Sequence, residues 1–154
     1  MKHFLTIILI FSMVVLTQSC GSTKKIKVPA GTHQIGAIYF QDGSFDEVLR
    51  KAKEQNKPIF VDFYAIWCGP CKTMEKDEFG NEELGKVLND NFLSYKLDGE
   101  TAEGKAVAIS NDLKFYPTLL FFSPDGKVLA KESGYVTANA ISSTAKEVLY
   151  KLGT

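Results

Sequence analysis

The chain has 154 residues, 45% of them apolar and 23% charged, the make-up of an ordinary globular protein. Its 18 basic residues balance 18 acidic ones, which removes the electrostatic case for a nucleic-acid binder. Three cysteines are too few for a disulfide-stapled scaffold, and the length suits one domain with or without a tail.

The N-terminus reads as an export address. Met1, Lys2 and His3 precede a run over residues 4–16 in which only Thr6 and Ser12 are polar. A membrane span needs about 20 apolar residues, so the run fits the core of a signal peptide, expected over residues 1–19. The following Thr17-Gln18-Ser19-Cys20-Gly21 resembles the cleavage box of bacterial lipoproteins, with Thr17 where that family has leucine. The resemblance implies that Cys20 becomes the lipidated first residue of the mature chain. Lipidation would also dispose of an unpaired thiol in an oxidising compartment. Cleavage would leave 135 residues with 17 basic and 18 acidic side chains. Residues 20–34 then carry the lipid and a Gly-, Ser- and Lys-rich tether, which would reach about 20 Å as a flexible coil. Lys24, Lys25 and Lys27 serve there as solvating charges.

Residues 35–154 form the expected domain. A first strand is predicted over residues 34–40, broken by Asp42-Gly43. Ser44 and Glu47 fit a capping box, opening a helix whose apolar stripe is Phe45, Val48, Leu49 and Ala52. The helix ends near Asn56, before Pro58. Residues 59–65 are apolar except for Asp62, as in a central strand buried on both faces. Helices are expected over 70–79 and 81–89, a second buried strand over 92–97, and a helix over 102–110. A third strand, 118–122, turns through Pro124-Asp125-Gly126 into 127–132, because Pro fixes φ and Gly supplies a positive one. An amphipathic helix over 137–152 closes the chain, with Ile141, Ala145, Val148, Leu149 and Leu152 on one side. This order of elements predicts an α/β sandwich around a mixed sheet.

Cys68-Gly69-Pro70-Cys71 falls where the central strand hands over to a helix. Zinc needs four ligands, and the rest of the mature chain offers only His33 and no second cysteine pair; an iron–sulfur cluster fails on the same count. No metal and no cofactor are expected. The remaining reading is a dithiol that cycles to a disulfide. Cys68 at the helix N-terminus would gain thiolate character from the macrodipole and unpaired amides, and Cys71 one turn on would be more buried. Pro70 in the first turn costs no hydrogen bond. A purely structural disulfide is a poor alternative, since so short a loop staples almost nothing.

The stretch from Val61 through Trp67 to Lys72 resembles the active-site segment of the thioredoxin family. Tyr116-Pro117-Thr118 resembles that family's cis-proline loop, and Gly134 falls where the family has a glycine beside its substrate groove. The similarity covers residues 35–152 and implies a thioredoxin-like fold, a central mixed sheet with helices on both faces. Met74-Glu75-Lys76-Asp77-Glu78-Phe79 and the Phe121-to-Gly126 turn are similar to the C-terminal periplasmic domain of DsbD-type thiol:disulfide interchange proteins, although those domains often lack Gly-Pro between the cysteines.

Chemistry and resemblance together assign expected roles. Cys68 attacks a partner disulfide and Cys71 resolves the mixed disulfide. Trp67 shields the sulfur and offers a flat apolar face. Asp62, inside an apolar strand, should have a raised pKa and accept the Cys71 proton. Lys96 resembles the lysine that pairs with this acid; the competing reading is a strand lysine that snorkels to water. The resemblance implies a cis bond at Pro117, with the Tyr116 backbone exposed to an extended peptide. Of Phe115 and Tyr116, one should pack in the core and one rim the groove, while Met74 should be core.

The expected function is a membrane-tethered envelope thiol–disulfide oxidoreductase, a monomer that reduces protein disulfides or relays electrons. A transmembrane electron donor is the implied partner, because the compartment is oxidising. Within the same chemistry, an oxidase, an isomerase or a thiol reductase for cytochrome c maturation remains open. A tethered peptide-binding module with a non-cycling disulfide is the alternative of another class.

Overall fold

A computed structural model describes residues 28–153. The expected signal peptide, Cys20 and most of the tether lie outside the described residues. Six strands form one sheet in the order β1-β2-β4-β3-β5-β6. They are β1 (Thr32–Ile35), β2 (Ile38–Gln41), β3 (Ile59–Tyr64), β4 (Leu93–Asp98), β5 (Thr118–Phe122) and β6 (Val128–Ser133). The helices are α1 (Phe45–Gln55), α2 (Gly69–Asp77), α3 (Glu82–Asn91), α4 (Ala102–Ser110) and α5 (Ala138–Leu152). β2, β4 and β3 are parallel, while β1, β5 and β6 run antiparallel to their neighbours. This is the thioredoxin-like mixed sheet that the sequence leads one to expect.

Side-chain alternation along β3 and β5 divides the core. Phe60, Leu119 and Phe121 point to one face with Met74, Leu84, Leu88, Ile141 and Val148 from α2, α3 and α5. Ile59, Val61, Phe63, Leu120 and Phe122 point to the other, against Phe45, Val48 and Ala52 of α1 and the partly buried Val107 and Ala108 of α4. Strands buried on both faces need near-continuous apolar runs, and β3 and β5 have them apart from Asp62 and Thr118. Met74 is fully buried, as expected.

The N-terminal boundary needs correction. The sequence predicts a tether running to Gln34 and a single strand over residues 34–40. Instead, Thr32–Ile35 and Ile38–Gln41 pair antiparallel, so a hairpin opens the domain. β1 stands at the sheet edge with His33 and Gln34 exposed, and an uncovered edge strand carries no apolar alternation to reveal it. The hairpin is fastened from α3: Asn89 Oδ1 accepts from the Tyr39 amide and its Nδ2 donates to the Ala37 carbonyl, both at 2.9 Å.

The α1 capping box is formed on both sides, with Ser44 accepting from the Glu47 amide and Glu47 accepting from the Ser44 amide. α2 begins one residue before its expected start, and α3 begins at Glu82 with Asn81 as its cap. Among the described residues, no helix is long and apolar enough to cross a membrane.

Candidate active site

β3 ends at Tyr64, and Ala65-Ile66-Trp67 carries the chain into α2. Cys68 is the N-cap of that helix, and its Sγ accepts from the Cys71 amide at 3.1 Å, where a serine or aspartate oxygen would usually stand. Gly69 and Pro70 form the first turn, where a proline removes no intrahelical hydrogen bond. Cys68 and Cys71 are joined as a disulfide with an S–S distance of 2.05 Å. Both cysteines are buried, with Ala65 beside them and Tyr64 and Tyr116 packed against the cluster.

Around the disulfide the surface is apolar. Ile66, Trp67 and Phe115 are each about two-thirds exposed. The Tyr116–Pro117 peptide is cis. Thr118 is buried and its hydroxyl donates to the Phe115 carbonyl at 2.8 Å. The Gly134 amide donates to the Pro117 carbonyl at 2.8 Å, and its φ of 89° is one that a side chain would strain. Phe115 is exposed, and Tyr116 is half-buried against the core. The Tyr116 ring lies 4.9 Å from Phe63 and meets Trp67 edge-on at 5.6 Å, while its hydroxyl donates to Glu100 Oε1 at 3.1 Å.

Beneath this surface is a charged group that burial should penalise. Asp62 and Lys96 are direct cross-strand neighbours on β3 and β4. The Lys96 Nζ donates to Asp62 Oδ2 at 2.9 Å and to Glu75 Oε2 at 2.5 Å, and sits 4.4 Å from the Tyr64 ring centroid. Lys96 is therefore paired inward rather than snorkelling. Asp62 is 1% exposed and its Oδ1 has no hydrogen-bond partner among the described residues. Burial pushes the Asp62 carboxyl above its ordinary value, and the Lys96 charge only partly offsets that. For Lys96, burial alone would lower the pKa. Attraction to Asp62 and hydrogen bonds to Glu75 and Asp62 outweigh it and hold the ammonium above its ordinary value. A pocket of about 220 Å³ has Cys71, Glu75, Lys96 and Tyr64 in its wall, bringing the second cysteine, Lys96 and Glu75 to one solvent-reachable space, with Asp62 buried behind Lys96.

The match to known proteins is direct. A model of the thioredoxin-like domain fits residues 45–149. The chain belongs to the thioredoxin-like family.

Among its relatives, the thiol:disulfide interchange protein DsbD of Pseudoalteromonas atlantica is 32% identical over 108 residues, which is 68% of this chain and 18% of that protein. The chloroplastic thioredoxin Y of Oryza sativa subsp. japonica is 34% identical over 108 residues, 69% of this chain and 58% of that one. This chain thus spans between one-eighth and three-fifths of the curated relatives it first matches. Among solved structures, a Bacteroides thetaiotaomicron protein assigned as a disulphide-isomerase superposes with a TM-score of 0.66 at 32% identity. That match covers 76% of this chain and 97% of the other.

The sequence assigns no role to Glu75 or Glu100, although one signal is present in it. Glu75 follows Cys71 by four residues on α2, which puts the two on one helix face. Glu100 carries no such signal, because its partner Tyr116 is sixteen residues away.

Proposed function

We propose that the chain is an exported, membrane-tethered thiol–disulfide oxidoreductase that reduces protein disulfides in the cell envelope. The observation that carries this reading is the Cys68–Cys71 disulfide at the N-terminus of α2, with Lys96 and Glu75 in the wall of the pocket that Cys71 lines and Asp62 paired to Lys96. Membership of the thioredoxin-like family supports the same chemistry.

In the reduced form the Cys68 thiolate attacks one sulfur of a substrate disulfide. The substrate S–S bond breaks, one substrate thiolate leaves, and a mixed disulfide forms on Cys68. Cys71 gives its proton to the Asp62 carboxylate, and its thiolate attacks the Cys68 sulfur. The second substrate thiolate leaves and the Cys68–Cys71 disulfide remains. Two electrons have passed to the substrate, so a dithiol donor must return two. In an oxidising compartment that donor has to draw electrons from across the membrane, and a DsbD-type transmembrane protein fits the need. Trp67, Tyr116, Pro117, Thr118 and Gly134 supply the groove against which the substrate lies, and the exchange needs no cofactor. Residues 1–19 as a signal peptide and Cys20 as the lipid anchor complete the reading.

Insulin reduction by the chain truncated to begin at Gly21 tests the activity, which Cys68→Ser should abolish. Cys71→Ser in whole cells should accumulate mixed disulfides with envelope proteins; recovering none would remove the relay. Cys20→Ser should move the protein from the membrane to the soluble fraction. An isomerase is the second reading, favoured by the likeness to the Bacteroides protein. Redox titration separates the directions: about −270 mV supports a reductase and about −120 mV a disulfide donor. Refolding of a scrambled substrate, faster than its reduction, would favour the isomerase.

A further inference from the structure

We infer that Glu100 is a positioning residue for substrate docking: it holds the Tyr116 hydroxyl, Tyr116 holds Trp67, and the pair sets the affinity for protein disulfides. The inference deepens the oxidoreductase reading and rests on it for its substrate.

Three observations converge on the Tyr116 ring. Phe63 backs it at 4.9 Å, Trp67 meets it at an interplanar angle of 85°, and Glu100 accepts from its hydroxyl at 3.1 Å. Among the described residues, Tyr116 is the only ring in contact with Trp67, whose side chain is two-thirds exposed. Without a fixed Tyr116, that exposed indole would have little to lean on. Residue 99 leaves the space that the hydroxyl needs. A Cβ on Gly99 would stand 2.2 Å from the Tyr116 hydroxyl oxygen and 2.5 Å from the tip of the Phe63 ring. Glu100 itself stands on a braced turn: its amide donates to Asp98 Oδ1 at 3.0 Å, and Thr101 next to it caps α4. A carboxylate on a rigid turn, a vacated Cβ position and an aromatic contact all define one ring orientation.

Glu100 makes no contact with either sulfur, so its loss should alter docking more than exchange. A substrate lying across the Cys68 loop meets the Trp67 face first, and a face that is already oriented costs less entropy to use. Releasing the Tyr116 hydroxyl frees its ring, then the indole, and the docking wall has to be ordered by each substrate.

Trp67 is the single tryptophan of the chain, so its fluorescence reports on this ring alone. The experiment compares Glu100→Ala, Tyr116→Phe, the double variant and Glu100→Gln with wild type, using insulin as substrate. In Glu100→Ala, the fast part of the Trp67 anisotropy decay should rise about twofold. The KM for insulin should rise about fivefold, the size expected for one lost hydrogen bond, with kcat moving less than about twofold. Glu100→Gln keeps an acceptor and should behave as wild type, and the double variant should match the single ones. Wild-type anisotropy in Glu100→Ala, failure of Glu100→Gln to restore it, or additive losses in the double variant would each overturn the inference. If wild type leaves insulin oxidised, the oxidoreductase reading fails instead, and the anisotropy series still decides whether Glu100 positions Trp67.

Discussion

The Lys96 ammonium lies 2.9 Å from one oxygen of Asp62, and the other oxygen of that buried carboxylate has no partner among the described residues. The pair is thus incomplete on the acid's side, and burial of the carboxyl keeps the Asp62 pKa high despite a cation in contact.

A stability signature follows from that raised value. The unfolded chain has Asp62 near its ordinary pKa, so the native state binds this proton more tightly. Stability is fullest below the ordinary value and falls as pH rises through the native-state value. Lys96 adds no slope there, since its contribution is lost only at alkaline pH beyond its own ordinary value. Urea unfolding should show Asp62→Asn to be more stable than wild type at pH 8, by on the order of 1 kcal/mol. The Asp62-dependent fall as pH rises above the ordinary carboxylate value should vanish in the variant. Retention of that fall would place the titration elsewhere.

Lys96→Met should behave in the opposite sense. It leaves a buried carboxylate without its cation, a loss of about 3 kcal/mol at pH 8. As pH is lowered the cost should shrink, because Asp62 takes up a proton, which its raised pKa favours. Adding Asp62→Asn to Lys96→Met should restore most of the stability at pH 8, which the same urea titrations would measure.

Glu75 should matter for titration more than for stability. Its side chain is 40% exposed, so Glu75→Gln should change stability by less than about 0.5 kcal/mol. Its negative charge helps to hold the Asp62 pKa up, and removing it should move the Asp62 carboxyl titration to lower pH. Carbon-13 NMR of the Asp62 carboxyl reads this directly, and an unmoved titration would refute the coupling.

Asn89→Ala tests the fastening of the N-terminal hairpin. It strands the Tyr39 amide and the Ala37 carbonyl in a partly buried place, at a cost of about 2 kcal/mol. Hydrogen exchange should quicken at the Tyr39 amide before it does in β3.

The chain's central elements are legible in the sequence because their burial leaves an unambiguous pattern. β5 and α4 fall on the residues expected of them, the former as a near-continuous apolar run before a Pro-Asp-Gly turn. The cysteine pair and Asp62 are equally plain, since a short motif and a lone acid in an apolar strand are local signals. The hairpin is not, because its first strand is an uncovered edge and the side chain that fastens it, Asn89, lies fifty residues away in sequence. Glu75 and Glu100 escape for a related reason. Each gains its partner only when the sheet register or the cis-proline loop brings distant segments together.

The direction of β1 fixes how the molecule presents itself. β1 is antiparallel to β2, and β2, β4 and β3 are parallel, so the chain enters β1 from the direction in which β3 runs, with Thr32 level with about Val61. Three strand spacings, about 14 Å, separate the two across the sheet. The polypeptide therefore joins the fold on the side where the sulfurs are.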